Sequence, residues 1–96
     1  MMLKRTAVWL VLLCPVGAMA ADAPPGASSC SGCHPASRTV GTPVKRLIGS
    51  NPAEIVAAMQ AYRSGQRPGT VMERIAKGFT DDETKAIADW YGAQKD

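Results

Sequence analysis

Histidine occurs once in these 96 residues, as His34, and cysteine only as Cys14, Cys30 and Cys33. A zinc cage around Cys30-Ser31-Gly32-Cys33 wants a second ligand pair. With Cys14 set aside, no third cysteine and no second histidine exist, so only carboxylates could complete it. The βαβ pattern that surrounds a redox dithiol is also missing. No apolar run can cross a bilayer: Ala7 to Leu13 is broken by Pro15 and Gly17, well short of the roughly 20 residues a span requires. Charge of one sign is scarce too. The net +3 of the whole chain falls to +1 once Lys4 and Arg5 are set aside, nine Lys and Arg then facing eight Asp and Glu, which leaves no basic surface for nucleic acid. Repeats, internal domain boundaries and low-complexity runs are absent.

What is present begins with a leader. Lys4 and Arg5 precede the compact apolar run, and Ala18-Met19-Ala20 is a small-x-small cleavage site, so residues 1–20 read as a secretory signal peptide. Cys14 suggests a lipoprotein site only weakly, because Leu13 stands where a small residue belongs. The expectation is a periplasmic protein without a stable membrane anchor. Residues 21–96 then form one small domain, near the size at which a hydrophobic core alone is marginal.

Cys30-Ser31-Gly32-Cys33-His34 supplies what such a domain needs. Two thiols followed at once by an imidazole are the pattern of covalent c-type haem attachment: Cys30 and Cys33 form thioethers with the haem vinyl groups, and His34 reaches the iron as proximal ligand. A single covalent haem c would also give the helices a large apolar centre to wrap. Nothing else in the chain makes better use of these five residues.

The remaining pattern is helical, with no convincing strand. A short helix over 26–33 delivers both thiols and stops before Pro35. Residues 35–49 form an irregular loop whose Val40, Val44, Leu47 and Ile48 line the haem crevice. Asn51, Pro52 and Glu54 open a second helix, with Ile55, Ala58, Met59 and Tyr62 at helical spacing until Gly65. Gly78 closes a possible short turn. Thr80-Asp81-Asp82-Glu83 is a capping box for a last helix whose apolar face is Ile87, Trp90 and Tyr91. About three helices and loops around one haem describe an all-α, class I cytochrome c fold.

The sixth iron ligand separates an electron carrier from a sensor or peroxidase. With no second histidine, a methionine thioether is the natural donor. Met59, mid-helix on the apolar stripe, reads as core packing. Met72 follows the turn-forming Arg67-Pro68-Gly69-Thr70 and can be carried on a loop across the face opposite His34; it is taken as the distal ligand. If Met72 only packs, the iron is open and a gas sensor or peroxidase results. The Pro43 carbonyl is a candidate acceptor for the second His34 nitrogen. Tyr62, Trp90, Arg38 and Arg67 are candidates for the haem propionates, with ordinary packing or surface duty the leading account of each.

Several segments together resemble a narrower family. Ser29 to His34, Gly41-Thr42-Pro43 with Leu47-Ile48-Gly49, Ala58-Met59, Tyr62 to Pro68 and above all Thr70 to Asp81 are similar to the haem subunit of flavocytochrome c sulfide dehydrogenase. The resemblance covers nearly all of residues 21–96 and sets Met72 at the family's ligand position. It implies a periplasmic heterodimer in which an FAD-containing flavoprotein subunit oxidises sulfide. This chain would accept electrons one at a time and relay them to a downstream soluble cytochrome or similar acceptor, without catalysis of its own. The segment before Cys30 is short for that family, which predicts weak packing of the first helix on the last. A free monohaem electron carrier is the alternative from a different class.

Overall fold

The computed structural model describes residues 22–95, so the leader assigned to residues 1–20 lies outside the described residues. Within them the chain is all-α, with no strand and with helices at α1 (Ala27–Cys30), α2 (Pro52–Ser64), α3 (Met72–Lys77) and α4 (Asp81–Ala93). None of these helices is long and apolar enough to cross a membrane.

The helix boundaries follow from local chemistry. Asn51 Oδ1 accepts the Ala53 N–H at 2.9 Å, Pro52 occupies the first helical position, and α2 closes on Gly65 in the left-handed region at φ 79°. At α4 the capping box is complete: the Thr80 N–H donates to Glu83 at 3.0 Å and the Glu83 N–H to the Thr80 hydroxyl at 3.2 Å. The Thr80 backbone N–H, and after it the Thr80 side chain, hold the Glu83 carboxyl below the usual carboxylate range.

The short turn expected before Gly78 is instead a helix of its own, α3. Met72-Glu73-Arg74-Ile75-Ala76-Lys77 is a run of helix-tolerant residues, with Glu73 in the first turn and Arg74 and Lys77 in the last, where they complement the helix dipole. Met72 is therefore the first residue of a helix, and the preceding loop positions it without containing it.

α2 packs against both α3 and α4. Its start lies on the end of α4, where a Cβ on Gly92 would come within 2.6 Å of Pro52 Cγ. Its end faces the start of α4, where Arg63 Nη1 donates to Asp81 at 2.7 Å, so the two helices run antiparallel. The same guanidinium donates to the carbonyls of Ala76 (3.5 Å) and Phe79, joining α2 to the end of α3 and to the α3–α4 connection.

The buried stripe of α4 is Thr84, Ile87, Ala88 and Tyr91. Trp90, expected on that face, is displaced to its flank and packs edge-to-face on Tyr91 at 4.8 Å. First-to-last helix packing is thin, as the short leading segment predicts. Ala27 is fully buried in a cluster with Ile87 and Tyr91, and the Tyr91 hydroxyl donates to the Ala27 carbonyl at 2.5 Å. One hydrogen bond and one alanine suffice where a longer leading helix would have used many contacts. Gly26 makes the close approach possible: at φ 86° it turns the chain into α1, and a Cβ there would stand 2.4 Å from the Phe79 ring.

Candidate haem site

α1 ends at Cys30, and the chain then winds back on itself. The N–H groups of Cys33 and His34 both donate to the Cys30 carbonyl, at 3.2 and 2.9 Å. Neither cysteine is in a disulfide; Cys30 is half-buried and Cys33 exposed. Burial pushes the Cys30 thiol up, partly offset by its hydrogen bond with Ser29, so it is a neutral thiol near pH 7.

His34 is oriented from the loop. Its Nδ1 lies 2.5 Å from the Lys45 carbonyl oxygen. A carbonyl can only accept, so Nδ1 carries the proton and Nε2 is left with its lone pair, which is the tautomer a metal ligand needs. The acceptor is thus Lys45, two residues beyond the expected Pro43. The reason is a clip in the loop: Arg46 donates through Nε (3.0 Å) and Nη2 (2.6 Å) to the Ala36 carbonyl, while the Ser50 hydroxyl donates to the Arg46 carbonyl at 3.0 Å. Closing residues 36–46 in this way brings the Lys45 carbonyl over the imidazole. The Lys45 ammonium reaches towards Glu54 at 4.0 Å, an exposed pair of small energetic weight.

Met72 is brought to the same place by the segment before it. Gly69 lies on the Tyr62 ring, where a Cβ would fall 2.9 Å from Cε1, and Met72 Cβ is 3.6 Å from the same point. Arg67 covers Tyr62, its guanidinium 4.9 Å from the ring centroid. Cys30, Cys33, His34 and Met72 all line one cleft of about 670 Å³, a size suited to a cofactor. Val44, Leu47, Ile55, Met59, Ile75 and Phe79 supply most of its apolar lining. Met59 therefore faces the cleft, while Val40 is left exposed and Ile48 packs on the α1–α4 core instead. A second, more open concavity of about 660 Å³ between the start of α2 and α4 contains none of these cysteine, histidine or methionine side chains, so the chemistry belongs to the first.

Tyr62 and Arg67, named as candidates for polar contact with a haem, lie on the cleft; Arg38 and Trp90 do not. A residue the sequence reading passed over also lines it. Thr84 is 4% exposed and its hydroxyl has no hydrogen-bond partner among the described residues. The available signal was its spacing, since 84, 87, 88 and 91 form one helical stripe and Thr84 is its one hydroxyl interruption on the cleft side.

The donor set fits a c-type haem. Two thiols for the vinyl groups, an imidazole whose Nε2 keeps its lone pair, the thioethers of Met59 and Met72 and an apolar wall share one cavity. The thiols come from α1 and the following turn, the imidazole from the residue after them, and the Met72 thioether from the start of α3.

No family model matches the chain. Three curated proteins do. The cytochrome subunit of sulfide dehydrogenase from Chlorobaculum tepidum is 36% identical over 64 residues, 67% of this chain and 58% of its own length. Thiosulfate dehydrogenase electron acceptors from Thiomonas intermedia and Stutzerimonas stutzeri are 35% identical over 81 and 66 residues, or 80% and 65% of this chain. This chain spans only 37% and 31% of those two proteins. This all-α chain, which brings a Cys-x-x-Cys-His motif and a methionine to one apolar cleft, is thus similar to the cytochrome subunit of sulfide dehydrogenase and to the thiosulfate dehydrogenase electron acceptors, and it spans less than two thirds of the length of each.

Proposed function

We propose that residues 21–96 form a periplasmic monohaem cytochrome c domain, exported by the leader at residues 1–20, that accepts electrons from a sulfide-oxidising flavoprotein. Cys30 and Cys33 hold one haem c through thioethers, His34 is its proximal ligand and Met72 its distal ligand. Bound there, the haem supplies a one-electron couple at iron. The rest is the work of this chain. The Lys45 carbonyl keeps the proton on His34 Nδ1 and aims Nε2 into the cleft, the Arg46–Ala36 clip holds that carbonyl in place, and Gly69 on Tyr62 sets Met72. Leu47, Ile55, Ile75 and Phe79 exclude water, which favours a stable couple over ligand exchange.

The observation that carries this reading is the convergence of both thiols, the oriented imidazole and the Met72 thioether on a single apolar cleft. The partner assignment rests on the similarity to a cytochrome subunit of sulfide dehydrogenase. In it the chain is the electron-accepting haem subunit of a heterodimer with an FAD-containing flavoprotein, and it passes electrons to a soluble cytochrome or similar acceptor. A second reading is favoured by the similarity to two thiosulfate dehydrogenase electron acceptors: a monohaem carrier that is reduced by a sulfur-oxidising enzyme without being its permanent subunit.

Gel filtration of native periplasmic extract, followed by haem absorbance and flavin fluorescence, separates the two. Coelution of both signals in a species much larger than this chain, reduced on adding sulfide, is the expected result. A lone small haem protein that sulfide leaves oxidised, and that an extract reduces with thiosulfate, would replace the subunit by the carrier. Absence of covalently bound haem would overturn both.

A further inference from the structure

The bond from His34 Nδ1–H to the Lys45 carbonyl oxygen, 2.5 Å away, is one side of a small closed ring. From His34 the chain runs through Pro35 to Ala36, whose carbonyl accepts from Arg46 Nε at 3.0 Å and Nη2 at 2.6 Å, and Arg46 is the chain neighbour of Lys45. The first side of this ring is stiff, because the pyrrolidine of Pro35 fixes its φ. The other side is held twice at residue 46. Its side chain grips Ala36, and its carbonyl accepts from the Ser50 hydroxyl at 3.0 Å. Beyond that residue the chain is anchored: Leu47 and Ile48 pack on the α1–α4 core, and the Gly49 N–H donates to the Tyr91 carbonyl at 3.1 Å. Before it, residues 36–45 are all exposed, and the bonds of Ser37 with Thr39 and of Val44 with Thr42 are local. An exposed arm offers the Lys45 carbonyl no packed seat, and the half-buried Arg46 supplies one. Its planar fork on a single carbonyl is a directional, charge-assisted contact that an ammonium cannot reproduce.

The ring governs the electronic strength of the imidazole. Donation from Nδ1–H to a carbonyl raises the basicity of Nε2, and a more basic ligand stabilises the oxidised, more highly charged metal. We propose that Arg46 is a positioning residue that sets the reduction potential of the haem: by fixing Ala36 against Lys45 it keeps the His34–Lys45 bond closed, and so holds the potential below that of an unclipped loop. This rests on the haem reading above. The guanidinium acts here through His34 and needs no contact with the haem. Its positive charge alone works in the opposite sense, favouring the reduced state. A substitution that keeps the charge and loses the fork therefore isolates the geometry.

The test uses haem-loaded protein from periplasm: the wild type, Arg46→Lys and Ser50→Ala. Each is taken through an equilibrium redox titration, and exchange of the His34 Nδ1–H with solvent is followed by proton NMR on the reduced form. Arg46→Lys is expected to raise the midpoint potential and to speed the exchange. Ser50→Ala, which frees the Arg46 carbonyl without altering any charge, is expected to move both in the same direction by less. An unchanged potential in Arg46→Lys overturns the proposal, even if the variant melts lower, because the clip would then only brace the loop. A potential that falls overturns it too, as does one that rises while exchange stays the same, since the cause would lie outside the His34–Lys45 bond. If Arg46→Lys loads no haem, the same criteria apply to Ser50→Ala. A wild type that carries no covalent haem refutes the underlying reading, an outcome visible before either substitution is compared.

Discussion

The Tyr91 hydroxyl ties the last helix to the first turn of the chain, and its removal is a clean perturbation. Tyr91→Phe keeps the ring, hence its burial against Ile87 and its edge-to-face contact with Trp90, and deletes the hydroxyl with its 2.5 Å bond to the Ala27 carbonyl and its contact with Ser31. A buried bond of this kind is worth about 1 kcal/mol net, and a buried carbonyl that loses its donor adds a desolvation cost, so the expected loss is about 1–2 kcal/mol. For a domain of this size that lowers the melting temperature by roughly 5–15 °C. The assay is thermal unfolding of the haem-loaded proteins followed by far-ultraviolet circular dichroism. A drop below about 2 °C would refute the argument that this bond replaces the packing of a longer leading helix. The pH dependence gives a second check. Burial pushes the Tyr91 phenol up. Both folded and unfolded chains keep it neutral below its ordinary value of about 10, and above that the unfolded chain ionises first. The stability advantage of the wild type over Tyr91→Phe is therefore full below about pH 10 and shrinks as pH rises further. An advantage that grows in that range would reverse the sign.

Other outcomes follow from the same geometry. Met72→Ala should convert the reduced protein from a poor to a ready binder of carbon monoxide and change its ligand-field spectrum; unchanged spectra would remove Met72 as a ligand. Arg63→Met should cost about 2 kcal/mol in denaturant unfolding, most of it from the Ala76 and Phe79 carbonyls instead of the exposed Asp81 pair, so the loss should persist at 1 M salt, where the pair is screened. A loss that vanishes in salt would mean the pair carried it. Gly26→Ala combines a left-handed backbone with a Cβ 2.4 Å from Phe79 and should destabilise by about 2–4 kcal/mol; a melt unchanged from wild type would show that α1 can re-enter by another route.

Much of the site was legible because its residues are local. Cys30, Cys33 and His34 are close enough in sequence for spacing alone to place them together on one cleft, and Asn51-Pro52 and Thr80 to Glu83 announce helix starts through local bonds. Legibility failed where the deciding contact is long-range. The His34 acceptor shifted from Pro43 to Lys45 because Arg46 reaches back to Ala36, a pairing no window of sequence displays. Trp90 gave way to Thr84 on the α4 face because the stripe is chosen by what α4 packs on, and a hydroxyl is not counted as apolar by periodicity. α3 was read as a turn because six residues are too few for a periodic signal.

The Arg63 guanidinium grips α3 near its last residues, whereas its first residue follows Val71, which offers no side-chain cap. Six residues at 1.5 Å each make a lever about 9 Å long, pinned at one end and carrying the thioether at the other. On the proposed ligation by Met72, loss of the ligand and unfolding begin on different parts of the molecule. Under rising denaturant the ligand-field band should fade before helicity is lost, and coincident curves would mean that α3 and the antiparallel α2–α4 pair move as one piece.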